Sequence, residues 1–233
     1  MTAAGKAPSV LAAALAVLLC CGSGAHATEV PIRTAGMAAS VKVRTLLDIR
    51  YRTIVRQQHD FSCGAAALAT LLKFHYDTDI TEAELVEAMM RTGDPGRIRS
   101  QGFSMGDMQR FLAAHNVKAN GYWAKLEETA EAGIPFIVLI NVRGYRHFVV
   151  VKGIHDGRVL VGDPALGLKI YGLEDLQAIQ EGPVFAIDDF VEVGRNSFNR
   201  PDEWRFRPKV TEAASVARPG GAQLMNLRPP GEF

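Results

Sequence analysis

The chain has 233 residues, enough for one domain with a real hydrophobic core plus extensions. Its 26 Lys and Arg against 25 Asp and Glu leave a formal charge of +1, which argues against nucleic acid or an acidic surface as partner. Neither a GxxxxGK[ST] loop nor a GxGxxG fingerprint is present, and the six histidines are dispersed without HExxH or CxxC, so no nucleotide, metal or other cofactor is expected.

Residues 1–27 read as a signal peptide. Lys6 gives a weakly positive start, Val10 to Cys21 is a short apolar run, and Ala25-His26-Ala27 is a small-x-small cleavage signal. The run is short for a membrane span, which needs about twenty apolar residues. Bulky Leu19 before Cys20 disfavours a lipoprotein. The expectation is therefore export to the periplasm, with no stable membrane span after cleavage at Ala27. Cys20 and Cys21 leave with the signal, and Cys63 becomes the single thiol of the mature chain. An unpaired thiol in an oxidising compartment is expected to be either buried or functional.

Residues 28–45 are polar and mixed and read as a mobile arm; Leu46 to Val55 reads as an extended entry segment. The next block, VRQQHDFSCGAAALATLLKFHY (Val55 to Tyr76), places Cys63 at the start of an Ala- and Leu-rich helix that Ser62 is positioned to cap. A helix start favours negative charge and so a thiolate. Gly64 beside the sulfur would leave room for a substrate backbone. By itself, a cysteine opening such a helix also suits a small buried hydrophobe.

Thr81 and Glu84 predict a capping box for a second helix, and 93–102 reads as a loop. Ser104, with Asp107 three residues on, opens a third helix, followed by a short strand ending near Gly121. From Gly133 the pattern changes to strands: Ile134 to Val142, His147 to Ile154 and Arg158 to Gly162, joined by tight turns as an antiparallel meander. A short helix at Leu173 to Ile179 and a strand near Val184 to Val193 follow. Helices first and strands second give an α+β fold over residues 46–194. Residues 195–233 are Arg-, Pro- and Gly-rich and are expected to be a partly disordered tail.

A thiol nucleophile wants a histidine as base and a third group to orient it. His75 and His115 sit at helix C-termini and suit capping; His155 lies in a turn beside Asp156; His59 is too close to Cys63 along the chain to face it. His147 instead heads an apolar strand beside Tyr145. Asp163, sixteen residues on and followed by Pro164, ends the neighbouring strand, so antiparallel pairing would bring the two together. A core histidine satisfied by a carboxylate is the alternative reading of that pair. Gln57, six residues before Cys63, could donate from its side-chain amide to an oxyanion, or be a plain surface residue.

Three blocks then carry a resemblance: QxxxxxCGxAALxxLLxF from Gln57 to Phe74, GxxHFVVVxG from Gly144 to Gly153, and GDP from Gly162 to Pro164. In this order and at these intervals they resemble the bacteriocin-processing, double-glycine cysteine peptidases, cysteine-peptidase family 39, over about Ile54 to Val193. The resemblance implies a papain-like fold, with a nucleophile helix packed on an antiparallel sheet that carries the histidine and aspartate. By position it makes Cys63 the nucleophile, His147 the general base and then acid, Asp163 the orienter of the imidazole and Gln57 the oxyanion residue. Gly64, Ser104 and Tyr145 would line a groove for a polypeptide with a small residue, such as glycine, before the cut bond. Many members of the family precede ATP-driven exporters. This chain has no such module and is more similar to the stand-alone exported form found with functional-amyloid secretion systems, so a component of such a system is the expected partner. The alternatives are a non-cleaving, chaperone-like binding module on the same fold, and amidase or transglutaminase chemistry.

Overall fold

Residues 28–34, 37–43 and 45–205 are described by a computed structural model. The expected signal peptide and the part of the tail beyond Arg205 lie outside the described residues. Within the span read as an arm, β1 (Thr28–Thr34) and β2 (Met37–Val43) pair antiparallel in a hairpin that forms a unit of its own.

The second unit begins with α1 (Leu46–Arg50), where the sequence suggested an extended segment. Asp48 in its first turn and Arg50 in its last match the helix dipole. Then come α2 (Cys63–His75), α3 (Glu82–Thr92), α4 (Pro95–Gln101) and α5 (Met105–Ala114). The predicted capping box at Thr81 is present, and Ser104 forms a second one with Asp107. Thr81 accepts from Glu84 N while Glu84 accepts from Thr81 N, and Ser104 and Asp107 do the same. The helix α4 falls in the span read as a loop: Asp94 accepts from the backbone of Gly96 and Arg97, and Pro95 sits in the first turn.

The strand half contains β3 (Ala119–Tyr122), α6 (Leu126–Ala132), β4 (Phe136–Val142), β5 (Tyr145–His155), β6 (Arg158–Asp163), β7 (Gly167–Gly172), α7 (Leu173–Ile179) and β8 (Gln180–Ile187). These strands form one antiparallel sheet in the order β3-β8-β4-β5-β6-β7. Alternation along the central strands builds two cores. Ile137, Phe148, Val150, Phe185 and Ile187 pack with Cys63, Ala67, Leu68 and Leu71 of α2. Val138, Val149, Val151, Val184 and Ala186 instead pack with Leu126, Leu176 and Phe198. The Cys63 helix α2 is thus laid against the middle of the sheet.

The strand expected to run to Val193 stops at Ile187, and the chain turns into α8 (Val191–Ser197) and α9 (Pro201–Trp204). This segment, whose later part was read as tail, is bound to β5 where a bulge lies between Val151 and Gly153. Asn199 N donates to Lys152 O, and Asn199 Nδ2 donates to Ile154 O. A Cβ on Gly153 would stand 2.3 Å from Asn199 Oδ1, so the close approach requires glycine there. Lys152 and Glu203, each 1% exposed, form an ion pair at 2.8 Å, and Lys152 Nζ also donates to Thr53 O and Oγ1.

Candidate active site

Cys63 is the first residue of α2, so its backbone N–H has no carbonyl within the helix to bind. Ser62 occupies the N-cap position but makes no side-chain cap bond to the helix. Its Oγ accepts from His59 N and donates to the Glu82 carboxylate, the stronger of the two acceptors beside it. The helix start is left open toward the site.

His147 comes from β5 and Asp163 from the end of β6. The ladder pair nearest to them is Val150↔Gly162, so one further step would set Asp163 across from Val149. The two side chains therefore meet as diagonal neighbours on the ladder, brought together by the antiparallel pairing. His147 Nε2 lies 2.8 Å from Asp163 Oδ1, and both residues are buried, at 4% and 1% exposure. Asp163 Oδ1 also accepts from Ala165 N at 2.8 Å and Leu166 N at 3.0 Å, an Asx-type turn after the strand. Burial pushes the Asp163 carboxyl up, but these bonds, led by that from His147, outweigh it and hold the group below its usual value.

With Nε2 engaged, Nδ1 is left for Cys63. It has no hydrogen bond of ordinary geometry, yet the sulfur is close enough to act on the imidazole. Such contacts are often loose in a free enzyme and tighten with substrate. Burial lowers the affinity of His147 for a proton; the Asp163 and Cys63 interactions more than reverse this and raise its pKa to about 9. The site thus favours an imidazolium beside the sulfur of Cys63. Cys63 itself is 7% exposed, a narrow opening to the outside.

Gln57 is held by its backbone, whose N–H donates to Pro164 O at 3.1 Å, next to Asp163. One hydrogen of its side-chain amide goes to His59 O at 3.1 Å. Tyr145 is 44% exposed and stacks on the His147 ring at 5.7 Å between centroids, at the mouth of the site. The structure therefore gathers Cys63, His147, Asp163, Gln57 and Tyr145.

Two other expected site residues are placed differently. Gly64 is buried: a Cβ there would meet Met108 Cε at 2.8 Å and Phe103 Cβ at 3.1 Å, so the glycine serves close packing of α2 on its neighbours rather than room for substrate. Ser104 spends its hydroxyl on Asp107 as the cap of α5. Among the remaining histidines, His75 is buried against Ser197 Oγ at 2.8 Å. Burial, with Lys152 and Arg200 nearby, drives its pKa well below the usual value. It is neutral and is not the cationic cap its position suggested. His115 Nδ1 meets Phe111 O, and His155 pairs with Asp156 on the surface.

Sequence reasoning missed the backbone groups of Pro164, Ala165 and Leu166, which join the Asp163 turn to Gln57. An Asp-Pro pair at a strand end signals such a turn. It also missed Glu82, which in sequence is one more acidic residue in a first helical turn.

The family model described as the peptidase C39 family matches residues 51–189. The chain belongs to the peptidase C39 family. It is accordingly a cysteine peptidase, and its α+β architecture is the papain-like fold of C39 peptidase domains. Among similar proteins, a probable functional amyloid protease FapD of Pseudomonas fluorescens is 38% identical over 214 residues, covering 91% of this chain and 93% of that one. A probable functional amyloid protease FapD of Pseudomonas aeruginosa is 41% identical over 146 residues, spanning 63% of this chain and 65% of that relative. Of solved structures, the peptidase domain of Streptococcus ComA, a bi-functional ABC transporter of a quorum-sensing pathway, superposes with a TM-score of 0.50 at 22% identity, over 58% of this chain and 96% of that domain. That likeness concerns the fold alone. The C39 match ends at residue 189, so α8 and α9, which bury Lys152 of this C39 peptidase, lie beyond it.

Proposed function

We propose that this chain is a periplasmic endopeptidase that cuts a polypeptide of an amyloid secretion system, with Cys63 as nucleophile, His147 as acid and base, Asp163 as its orienter and Gln57 as oxyanion donor. The observation that carries the reading is the His147 imidazole, fixed through Nε2 to Asp163 Oδ1 at 2.8 Å, with its Nδ1 unpaired and the Cys63 sulfur acting on the ring. Similarity to the two Pseudomonas proteins named as functional amyloid proteases supports the substrate class. The signal-like residues 1–27 support the compartment.

In this mechanism the Cys63 thiolate attacks the scissile carbonyl carbon, and a sulfur–carbon bond forms. Negative charge moves to the carbonyl oxygen, which the Gln57 amide and the free Cys63 N–H receive. The His147 imidazolium gives its proton to the amide nitrogen, the carbon–nitrogen bond breaks, and the new amino terminus leaves. His147, now neutral, takes a proton from water as it attacks the thioester; the carbon–sulfur bond breaks, the carboxylic acid leaves, and the Cys63 thiolate stands again beside the His147 imidazolium. Throughout, Asp163 keeps Nε2–H fixed so that Nδ1 faces the reaction.

The test is to incubate the mature chain, and its Cys63→Ala variant, with each protein encoded beside its gene and to map new termini by mass spectrometry. A cut that appears only with Cys63 is expected. Absence of any cut, or a cut that survives Cys63→Ala, overturns the proposal. Cell fractionation with N-terminal sequencing tests the compartment, the expected mature start being Thr28.

A further inference from the structure

Between Gln57 and Cys63 runs a loop without regular structure, and both ends of it carry groups the reaction uses. Two anchors fix this loop. One is Gln57 N to Pro164 O, already described. The other is Glu82, the first residue of α3, whose Oε1 accepts from Gln58 N at 2.8 Å and from Ser62 Oγ. Ser62 is fully buried and Glu82 is 5% exposed. A carboxylate taken this far from water needs partners, and here they are the residues that follow Gln57 and precede Cys63.

We propose that Glu82 is a positioning residue for the reaction of Cys63: by holding Gln58 N and Ser62 Oγ together it fixes the distance between the Gln57 amide and the Cys63 N–H, which together form the oxyanion site. The proposal rests on the reading of Cys63 and Gln57 given above. The physical case is geometric. Two donors act on one oxygen only if both point at the place where its charge develops, and a shift of about 1 Å costs on the order of a hundredfold in rate. Gln57 and Cys63 lie at opposite ends of an irregular loop and do not share a rigid element. Their spacing must be set from outside, and Glu82 is the side chain that reaches both halves. Its place at the start of α3 suits the charge, since the dipole of that eleven-residue helix favours an anion there. Ser62 completes the linkage: its Oγ also accepts from His59 N at 3.1 Å, and His59 O in turn accepts from the Gln57 amide. The chain of bonds therefore runs from Glu82 to the oxyanion donor itself.

Two probes of Cys63 test this without the natural substrate. Acylation by p-nitrophenyl acetate builds charge on a carbonyl oxygen and needs the oxyanion site; alkylation by iodoacetamide needs the thiolate and builds no such charge. In Glu82→Ala, acylation is expected to slow ~10–100-fold while alkylation stays within about threefold. Glu82→Gln keeps an oxygen that accepts both bonds and is expected to recover acylation to within about threefold of the parent. In a Gln57→Ala background, Glu82→Ala should add less than about threefold, because the two residues act on one oxygen. Equal loss of both reactions, or single effects that multiply in the double variant, overturns the proposal. Should Glu82→Ala not fold, Ser62→Ala cuts the same linkage and is read by the same comparison. Failure of the parent reading looks different: Cys63 would then not be acylated in the unmodified chain at all.

Discussion

Asp163 Oδ1 receives three donors at once, His147 Nε2 at 2.8 Å and the backbone N–H groups of Ala165 and Leu166 at 2.8 and 3.0 Å. The two backbone bonds have a consequence for Asp163→Asn. They select the carbonyl oxygen of the new amide for that position, so the oxygen still accepts from His147 and the tautomer is kept. What is lost is the charge. Turnover is therefore expected to fall only about tenfold, whereas Asp163→Ala, which loses orientation as well, should fall by ~10³–10⁴. Steady-state rates of the two variants check this order.

The same charge sets the pH range. His147 is raised to about 9, against an ordinary 6.5, by Asp163 and Cys63 working against burial. Turnover should decline above about pH 9 as the imidazolium that protonates the leaving amine is lost, and in Asp163→Asn this decline should begin at lower pH, toward 6.5. For stability the sign follows from the direction. A raised His147 stabilises the fold fully below pH 6.5, and that contribution disappears as pH passes about 9. Asp163, held below its usual value, adds stability above the ordinary carboxylate range and loses it on acidification. The gap between the urea midpoints of the parent and of His147→Ala should be widest below pH 6.5 and narrow as pH passes about 9.

Gln57→Ala is expected to lower kcat by ~10²-fold with KM changed less than about threefold, since the amide is asked to bind charge that exists only in the transition state. A rise in KM alone would assign Gln57 to substrate binding. The comparison is best made beside Tyr145→Phe, which keeps the stack on His147 and removes only the hydroxyl at the mouth of the site.

Local patterns carried much of this arrangement. The helix at Cys63, the boxes at Thr81/Glu84 and Ser104/Asp107, and the hairpin linking His147 to Asp163 are each written in a few adjacent residues. Other features depend on partners distant in sequence. Ser62 reads as a cap, yet Glu82, twenty residues on, diverts its hydroxyl. The loop span at 93–102 contains Asp94-Pro95, which starts a helix as readily as a turn. Leu46 to Arg50 has the composition of a strand, but the segment folds as one helical turn and a half. Polarity near the C-terminus suggested a tail, because nothing local announces that Glu203 will meet Lys152.

Gly64 shows how a site residue can be misassigned by adjacency to Cys63. Adding one methyl group at this position would press on Met108 Cε at 2.8 Å and Phe103 Cβ at 3.1 Å. Gly64→Ala is expected to destabilise by about 1–3 kcal/mol, the range for overpacking, and to reduce activity through displacement of α2. Pairing it with Met108→Leu, which withdraws the Cε methyl at nearly constant volume, should restore part of both, as measured by thermal melts and rates. Loss of activity at full stability would return Gly64 to the substrate groove.

The Lys152–Glu203 pair supports a last prediction about the segment beyond the C39 match. Burial lowers the pKa of Lys152, and Glu203 partly restores it. Removing one partner leaves a charge uncompensated in a place water does not reach, at a cost of about 3–5 kcal/mol. Glu203→Ala should therefore unfold at markedly lower denaturant than the parent. The double variant Lys152→Met, Glu203→Leu should regain most of the loss, because an apolar pair removes the stranded charge. Lys152 sits on β5, five residues past His147, so the single variant should also lose turnover at temperatures where it is still folded. Truncation after residue 189 removes α8, α9 and the Asn199 bonds to β5 together, and should be at least as damaging as Glu203→Ala. If the truncated chain instead melts and turns over like the parent, the terminal helices are dispensable cover, and the charge pair contributes nothing to the site.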